Sequence, residues 1–331
     1  LQDKHSCIPK LLKYRELVKT QQFFSNWQTH MVDGVLHPSF KITGTVTGRL
    51  SCGDPNLQNV PRDTFLRSLI TAPPGWVLME ADYSQVELRI TAMVSGDITM
   101  KTAYQTGEDL HRKTAATVSG KKPEDVTKAE RKNAKAVNFG FIYGMHYKKF
   151  KDYARDKYNV ELTLDEAFLY RKRFFELYWG LPSWHDRQKR LAEKVGYVRN
   201  AIGRIRHLPG AQLSDADSRA IKASCQRQGI NAPVQSLASD ILVTNLNRID
   251  RELPYSQIRV VGNVHDAGLF IVKLEHVPEM TKGVRRIMED VEYIERVYDT
   301  VISVPLEVEI KLGPWGSGKV IEKGEEDQWQ L

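Results

Sequence analysis

The chain has 331 residues and a formal net charge of +7, from 48 basic and 41 acidic residues. Its three cysteines are widely spaced and form no Cys-x-x-Cys pair, which argues against a zinc site or a disulfide framework and predicts an intracellular location. No apolar run is long enough to span a bilayer and no signal peptide precedes Leu1, so we expect no membrane association. Because Leu1 is not a methionine, we also expect an excised or processed fragment.

The positive charge is concentrated in the middle of the chain. Residues 111–210 contain 23 Lys and Arg and 11 Asp and Glu, so their net charge is +12 and that of the remaining residues is −5. The middle of the chain is therefore where a polyanion is expected to bind.

The first element with chemical content is a short apolar run that ends in an acid, Gly75-Trp-Val-Leu-Met-Glu-Ala-Asp82. It predicts a buried strand that delivers Asp82 at its carboxyl end. Apolar residues then recur at helical spacing from Val86 to Val94, so Asp82 is expected at a strand-to-helix junction. The simpler interpretation of Asp82 is an acid at a helix N-terminus.

A helix is predicted over the segment from Arg131 to Gly144. Thr127 and Glu130 form a Thr-x-x-Glu capping box just before the segment, which indicates where the helix starts.

Four residues of this segment share one helical face, because Arg131, Lys135, Phe139 and Tyr143 are four positions apart. Two adjacent cations repel each other unless an anion lies between them, and a triphosphate is such an anion. The two rings beyond the cations offer a surface on which a base can stack. Taken alone, the segment is better interpreted as a solvated basic helix with two core aromatics, and it is the rest of the chain that favours the triphosphate.

The rest of the chain contains further helices, a hairpin and a second acidic turn. The run from Tyr197 to His207 predicts a hairpin around Gly203, and Pro233 predicts a break in the helices. Two strand-like runs, 258–265 and 269–272, predict a second hairpin with Asp266 at or beside its turn.

Aspartates on neighbouring strands could hold two divalent ions roughly 3.5–4 Å apart. Magnesium suits oxygen ligands and prefers sites that substrate phosphates complete, so Asp82 and Asp266 are candidate ligands of Mg²⁺, and we expect Mn²⁺ to substitute for it. Taken alone, Asp266 could be an ordinary turn residue.

Five segments of the chain together resemble family A DNA polymerases, the bacterial DNA polymerase I group and its phage relatives. They occur in the family's order and span about Ser39 to Trp315: Thr47-Gly-Arg-Leu-Ser-Cys-Gly-Asp-Pro-Asn-Leu-Gln-Asn-Val-Pro61, Asp82-Tyr-Ser-Gln-Val-Glu-Leu-Arg89, the Arg131 to Gly144 segment, Asn231-Ala-Pro-Val-Gln235 and Val264-His-Asp266.

The resemblance implies roles at the nucleotide site. Asp82 and Asp266 would bind the metal ions, together with the backbone carbonyl of Tyr83. The residues that would bind the incoming deoxynucleoside triphosphate are Tyr83, Gln85, Glu87, His111, Arg131, Lys135, Phe139 and Tyr143. Within this set, Lys135 would also be catalytic as the proton donor to departing pyrophosphate. Glu87 would exclude a ribose 2′-hydroxyl, which favours deoxynucleotides and argues against the alternative of a single-subunit RNA polymerase.

The resemblance also implies contacts with the primed DNA template. The residues expected at the primer terminus or in the minor groove of the new duplex are Arg49, Asn56, Gln58, Asn59, Arg227, Asn231, Gln235 and His265. Polar side chains can bind there to acceptors that every base pair presents.

One residue departs from the family pattern, because Ala267 follows His-Asp where the family usually has Glu. Two aspartates suffice for a site that substrate and water complete, so we expect this loss to be tolerated. A catalytically weak or silent DNA-binding or scaffold module is the alternative that Ala267 leaves open.

The implied fold class is α+β, a polymerase right-hand fold with an antiparallel-sheet palm, a large helical fingers insertion and a remnant of the helical thumb. The expected boundaries are 1–35 for the end of the thumb, 36–95 for the first part of the palm, 96–250 for the fingers and 251–331 for the second part of the palm, with Pro305-Leu-Glu-Val-Glu-Ile310 as a strand. The implied location is the nucleoid, or the host cytoplasm for a phage protein, and any nuclease would lie elsewhere in the parent chain.

Overall fold

The structure is a computed structural model that describes residues 5–61, 64–215 and 217–329. Its helices are α1 Cys7–His30, α2 Thr64–Ser68, α3 Val86–Ser95, α4 Ile98–Gln105, α5 Leu110–Ser119, α6 Lys128–Phe141, α7 Tyr147–Tyr158, α8 Leu164–Leu177, α9 Gly180–Val195, α10 Arg219–Glu252, α11 Val277–Met288 and α12 Val291–Tyr298. Its strands are β1 Met31–Val32, β2 Val35–Leu36, β3 Ser39–Lys41, β4 Ser51–Gly53, β5 Trp76–Tyr83, β6 Tyr197–Arg199, β7 Ile205–His207, β8 Ile258–Val264, β9 Ala267–Lys273, β10 Val308–Leu312 and β11 Lys319–Ile321.

The chain forms two compact units. The first comprises Leu1–Asp82, Thr244–Ile287 and Glu309–Leu331, and the second comprises Tyr83–Val243 and Met288–Val308. Among the described residues, no helix combines the length and the apolar character that crossing a membrane requires.

The first unit is built on a five-stranded sheet with the strand order β11-β10-β5-β9-β8. Strands β5, β8 and β9 pair antiparallel, as do β10 and β11. Buried and half-exposed residues alternate along β5, so Met79 and Ala81 face the core while Glu80 and Asp82 lie on the opposite face. A second apolar cluster packs α1 beside the sheet through Trp27.

The second unit is mainly helical. Its core contains large aromatic side chains from α6, α7 and α8, among them Phe141, Phe150 and Phe174. Gly140 permits this packing, because a Cβ atom there would lie 2.7 Å from the Phe150 ring. The predicted α+β class is confirmed: a mainly antiparallel sheet and a helical unit occupy separate parts of the chain.

Several predicted elements are confirmed. The predicted strand to Asp82 is β5, the capping box of Thr127 and Glu130 starts α6, and the hairpin with Gly203 is β6–β7. The hairpin with Asp266 at its turn is β8–β9, in which only His265 and Asp266 form the turn.

Three details of the sequence interpretation were wrong. Tyr143 lies outside α6, because the helix ends at Phe141 and the chain turns through Gly144, whose φ of 72° is left-handed. Pro233 does not break α10, since buried neighbours such as Val234 and Leu237 outweigh a proline cost of about 3 kcal/mol.

The third wrong detail is the start of the strand predicted from Pro305 to Ile310. The observed strand, β10, begins at Val308. Proline cannot donate to a strand ladder. The carbonyl of Pro305 instead accepts a hydrogen bond of 2.7 Å from Arg89, and the carbonyl of Glu307 accepts one of 2.8 Å from the backbone N–H of Ser84.

Candidate active-site residues

Two aspartates are brought together in the first unit. Asp82 lies near the carboxyl end of β5, and its partner across the antiparallel pairing is Ala267, the residue after Asp266. The turn that carries Asp266 is tight, with a left-handed φ of 56° at His265. The sheet register therefore places the two predicted metal ligands beside each other, as the sequence predicted.

Negative charge accumulates around Asp82. Burial first, and then the charges of Asp266 and Glu80, raise the pKa of Asp82 to about 6 from its usual 3.8, while Lys311 acts in the opposite direction. Arg49 also lies at this cluster and donates a hydrogen bond of 2.9 Å from Nη2 to Oδ1 of Asp266. The two carboxylates thus repel each other in the protein alone, and a bound cation would relieve that repulsion.

The donor set fits a hard divalent ion that keeps part of its water. Within residues 5–61, 64–215 and 217–329, no group of three or more His, Cys, Asp or Glu side chains is arranged to hold a metal. Asp82 and Asp266 therefore offer two protein carboxylates, which is the number typical of Mg²⁺ sites that substrate phosphates complete.

The cationic face lies in the second unit on α6. Arg131 forms an ion pair with Asp109, the residue that caps α5. Although burial acts in the opposite direction, the hydrogen bonds from Arg131 and from the backbone of Arg112 hold the pKa of Asp109 below its usual value. Lys135 lies one turn further along α6, half-buried, and makes no ion pair with any described residue. Arg131 is thus already oriented, while Lys135 is available to an anion.

The two predicted aromatic residues lie at the end of this face. Phe139 is half-buried on α6, and its ring centroid is 6.2 Å from that of His111. Tyr143, although beyond the helix, donates a hydrogen bond of 2.6 Å to the carboxylate of Glu87 on α3. The predicted proximity of Glu87 and Tyr143 is therefore present.

The remaining nucleotide-site candidates lie on α5 and at the start of α3. His111 is buried and contacts Asn138 of α6 through a nitrogen-to-nitrogen distance of 2.7 Å. Gln85 has a left-handed φ of 55° and accepts a hydrogen bond of 3.3 Å from Tyr104, while the hydroxyl of Tyr83 donates to the carbonyl of Met288 at 2.8 Å.

Five DNA-binding candidates belong to the first unit: Arg49, Asn56, Gln58, Asn59 and His265. Asn56 caps the short 3-10 helix Leu57–Asn59, where Asn59 is exposed. Gln58 donates a hydrogen bond of 2.9 Å to Asn263, next to the turn. His265 is exposed at that turn, and Arg49 reaches Asp266 there, so three candidates converge on the candidate metal ligand.

The other three DNA-binding candidates lie on α10 in the second unit. Arg227, Asn231 and Gln235 are four residues apart and so share one helical face. Arg227 is exposed, and the side-chain oxygen of Asn231 is buried without a hydrogen-bond partner among the described residues.

Sequence reasoning missed five residues that hold these groups in place. Asp109 orients Arg131, Asn138 contacts His111, Asn263 joins Gln58 to the turn, and Glu80 and Lys311 set the charge around Asp82. Only two left a signal in the sequence: Glu80 shares a strand face with Asp82, and Asn138 follows Arg131 by seven residues on α6.

The sequence model of DNA polymerase family A matches residues 1–317. The thermostable DNA polymerase I of Thermus aquaticus is 33% identical over 327 residues, which are 96% of this chain and 37% of that protein. DNA polymerase I of Aquifex aeolicus is 35% identical over 284 residues, covering 85% of this chain and 46% of that protein. The chain thus spans less than half the length of these curated relatives.

Similarity extends to a solved structure. The polymerase domain of Pol1 from M. smegmatis, in complex with a DNA primer-template and dNTP, superimposes with a TM-score of 0.83 at 28% identity, covering 96% of this chain and 55% of that one. This match supports the polymerase type of α+β fold. With the family model matching nearly the whole sequence, the chain belongs to DNA polymerase family A.

Proposed function

We propose that the chain carries the nucleotidyl-transfer activity of a template-directed DNA polymerase. The observation that carries this proposal is the register of β5 and β9, which pairs Asp82 with Ala267 and so places Asp82 beside Asp266, in a chain that belongs to family A. The oxygen of the primer 3′-hydroxyl forms a bond to the α-phosphorus of a deoxynucleoside triphosphate. The proton of the hydroxyl passes to water, the bond from that phosphorus to the bridging oxygen breaks, and pyrophosphate leaves.

Each group has a role that its surroundings support. Asp82 and Asp266, with the carbonyl of Tyr83, would hold Mg²⁺, and the bound ion would lower the pKa of the attacking hydroxyl and stabilise the charge on the leaving group. Arg131, Lys135 and His111 bind the triphosphate, since phosphoryl transfer depends mainly on positioning and charge stabilisation. Lys135 supplies the proton that pyrophosphate takes up.

The substrates we propose are primed DNA and the four deoxynucleoside triphosphates. In the first unit Arg49, Gln58 and His265 would contact the primer side, and on α10 Arg227, Asn231 and Gln235 would contact the duplex. We further propose that the five-stranded sheet is the palm and the helical segments between residues 96 and 250 are the fingers.

Primer extension tests this function directly. The chain is incubated with a primed DNA template, Mg²⁺ and the four deoxynucleotides, and we expect extension to the end of the template. Because the carboxylate pair needs a divalent ion, we expect EDTA to abolish extension, excess Mg²⁺ to restore it and Mn²⁺ to substitute for it. Binding of primed DNA without any extension would contradict the proposal and favour a silent DNA-binding module with a site weakened by Ala267.

The choice of sugar depends on Glu87. Replacing Glu87 with Ala removes the carboxylate that Tyr143 holds at 2.6 Å, so we expect discrimination against ribonucleotides to fall by roughly 10- to 100-fold. The measurement is the ratio of kcat/KM for a deoxynucleotide to that for the matching ribonucleotide. Glu87→Gln is the matched control, since it keeps the size of the side chain and should keep most of the discrimination. Equal discrimination in the wild type and in Glu87→Ala would show that the gate lies elsewhere.

A further inference from the structure

The hydrogen bonds around His111 determine which ring nitrogen carries the proton. His111 is 2% exposed on α5, and its Nδ1 atom lies 2.7 Å from the amide nitrogen of Asn138 on α6. An amide nitrogen can only donate, so Nδ1 must be the acceptor and the proton of a neutral ring must be on Nε2. Within the described part of the chain, Nε2 has no hydrogen-bond partner.

The other end of the Asn138 amide faces Thr114. The Thr114 hydroxyl lies 2.8 Å from Oδ1 of Asn138, 2.9 Å from the carbonyl oxygen of Leu110 and 2.7 Å from the hydroxyl of Tyr178. All four residues are buried, so an unsatisfied amide would be costly. With its oxygen facing Thr114, the amide presents its nitrogen to His111.

The ring is neutral at physiological pH. Burial first, and then the charge of Lys135, lower the pKa of His111 to about 4, with Arg131 acting in the same direction and Asp109 opposing it. A neutral imidazole has a single N–H, which gives the choice of tautomer a functional consequence. A ring with a bare Nε2 would repel a phosphate oxygen, whereas a ring with Nε2–H would donate to it.

We propose that Asn138 is a positioning residue of the nucleotide site, which fixes the Nε2–H tautomer of His111 so that the neutral ring donates a hydrogen bond to the triphosphate. The identity of the ligand rests on the proposed function, while the tautomer is a property of the protein alone. This division lets the two ideas fail separately.

The first test reads the tautomer without substrate. The protein is labelled with ¹⁵N only at its nine histidines, and the signals of His111 are assigned by their loss in His111→Gln. Between pH 6 and 8 we expect an unprotonated Nδ1 and a protonated Nε2. His185 is an internal reference, because its Nε2 lies 2.7 Å from the carbonyl of Ile142 and must also be protonated. A protonated Nδ1 in His111 would overturn the proposal.

The second test inverts the hydrogen bond. In Asn138→Asp a carboxylate replaces the amide nitrogen, so Nδ1 becomes a donor and a neutral ring presents a bare Nε2. We expect the KM for the deoxynucleotide to rise about 10- to 100-fold at pH 8, with a smaller change in kcat. Because the new carboxylate also favours the imidazolium, which donates again from Nε2, the rise should be smaller at pH 6. A change of the same size at both pH values would indicate a purely structural role and overturn the proposal.

Thr114→Val serves as a second variant if Asn138→Asp does not fold, as judged by the His185 signals. It keeps the amide but removes the hydroxyl that orients it, so we expect both tautomers of His111 in the spectrum. A spectrum with the wild-type tautomer alone would show that the Thr114 contact does not orient the amide.

Ligand contact is read with dATP, Mg²⁺ and a template primed by a strand that ends in a dideoxynucleotide, which prevents reaction. We expect the Nε2–H signal of His111 to shift and the His185 signals to stay in place. A shift in a protein that fails to extend normal primers would contradict the proposed function but support this inference. Normal extension without a shift of the His111 signal would support the proposed function and contradict this inference.

Discussion

Asp82→Asn is expected to abolish primer extension and, at the same time, to make the metal-free protein more stable. The loss of activity should be about 10³-fold or more, because an amide removes one of the two carboxylates that we propose as metal ligands. The gain in stability follows from the charges around the residue. Asp82 is partly buried beside Asp266 and Glu80, and its negative charge is unfavourable in the metal-free protein.

The pH dependence of this gain can be derived from the pKa of Asp82. The pKa is about 6 in the folded protein and 3.8 in its ordinary environment, so the folded protein binds the proton more tightly. Protonation of Asp82 therefore stabilises the folded protein relative to the unfolded chain. This stabilisation is fully present below about pH 3.8 and is lost as the pH rises through about 6. A difference of two pKa units corresponds to about 3 kcal/mol above pH 6.

Thermal and urea unfolding in EDTA measure this effect. At pH 7.5, Asp82→Asn should raise the free energy of unfolding by on the order of 1–3 kcal/mol. At pH 5 the increase should be clearly smaller. Addition of Mg²⁺ should raise the Tm of the wild type more than that of the variant. Asp250→Asn is the matched control, since Asp250 is exposed on the part of α10 that belongs to the first unit, as Asp82 does. This substitution should change neither stability nor activity. A variant that is inactive and also less stable in EDTA would contradict this account of Asp82.

Stability and activity are therefore expected to oppose each other at this position. Natural sequences keep such unfavourable groups where function requires them. The rest of β5 compensates locally, since Met79 and Ala81 are fully buried on the other face of the strand. Alternation along one strand thus holds the repelling carboxylates on one face and the stabilising apolar contacts on the other.

The elements that local patterns specify were predictable. Strand β5 alternates in polarity, α6 starts at a capping box, and the β8–β9 hairpin turns at His265 and Asp266. Each of these signals lies within a few residues of the feature it determines, so neighbouring residues alone carry it.

The contacts that complete the candidate site were not predictable from such patterns. Asn138 and His111 are 27 positions apart, and Arg49 and Asp266 are 217 positions apart. No periodicity connects residues at those separations. The proximity of Asp82 and Asp266 was expected from adjacent strands and from the family resemblance, not from their spacing in the sequence. Pro233 is the opposite case. A proline strongly predicts a helix break from the local sequence, but the tertiary packing of α10 overrides that prediction.

Lys135 is expected to have two separable roles, binding the triphosphate and giving a proton to pyrophosphate. Both roles require an accessible ammonium group. Lys135 is half-buried on α6 and forms no ion pair with any residue that the structure describes, in contrast to Arg131, which Asp109 holds. A free ammonium next to a fixed guanidinium suits a group that must move with the leaving phosphate.

Two substitutions at Lys135 distinguish binding from proton transfer. Arginine keeps the positive charge but cannot release its proton in a protein, so Lys135→Arg should bind deoxynucleotides with a KM near that of the wild type. Its kcat should nevertheless fall by about 10²- to 10⁴-fold, the usual contribution of general acid catalysis. Lys135→Ala loses both roles, so its KM should rise in addition to the fall in kcat.

Pre-steady-state incorporation of one nucleotide gives the maximal rate of incorporation and the apparent Kd of the deoxynucleotide, the counterparts of kcat and KM that are free of interference from DNA release. Lys132→Ala is the matched control, because Lys132 is exposed on the same helix and lies off the face of Arg131 and Lys135. If Lys135→Arg keeps the wild-type kcat, then charge alone explains the residue and another group supplies the proton. If it loses kcat while Lys132→Ala does not, the ammonium proton itself takes part in the step.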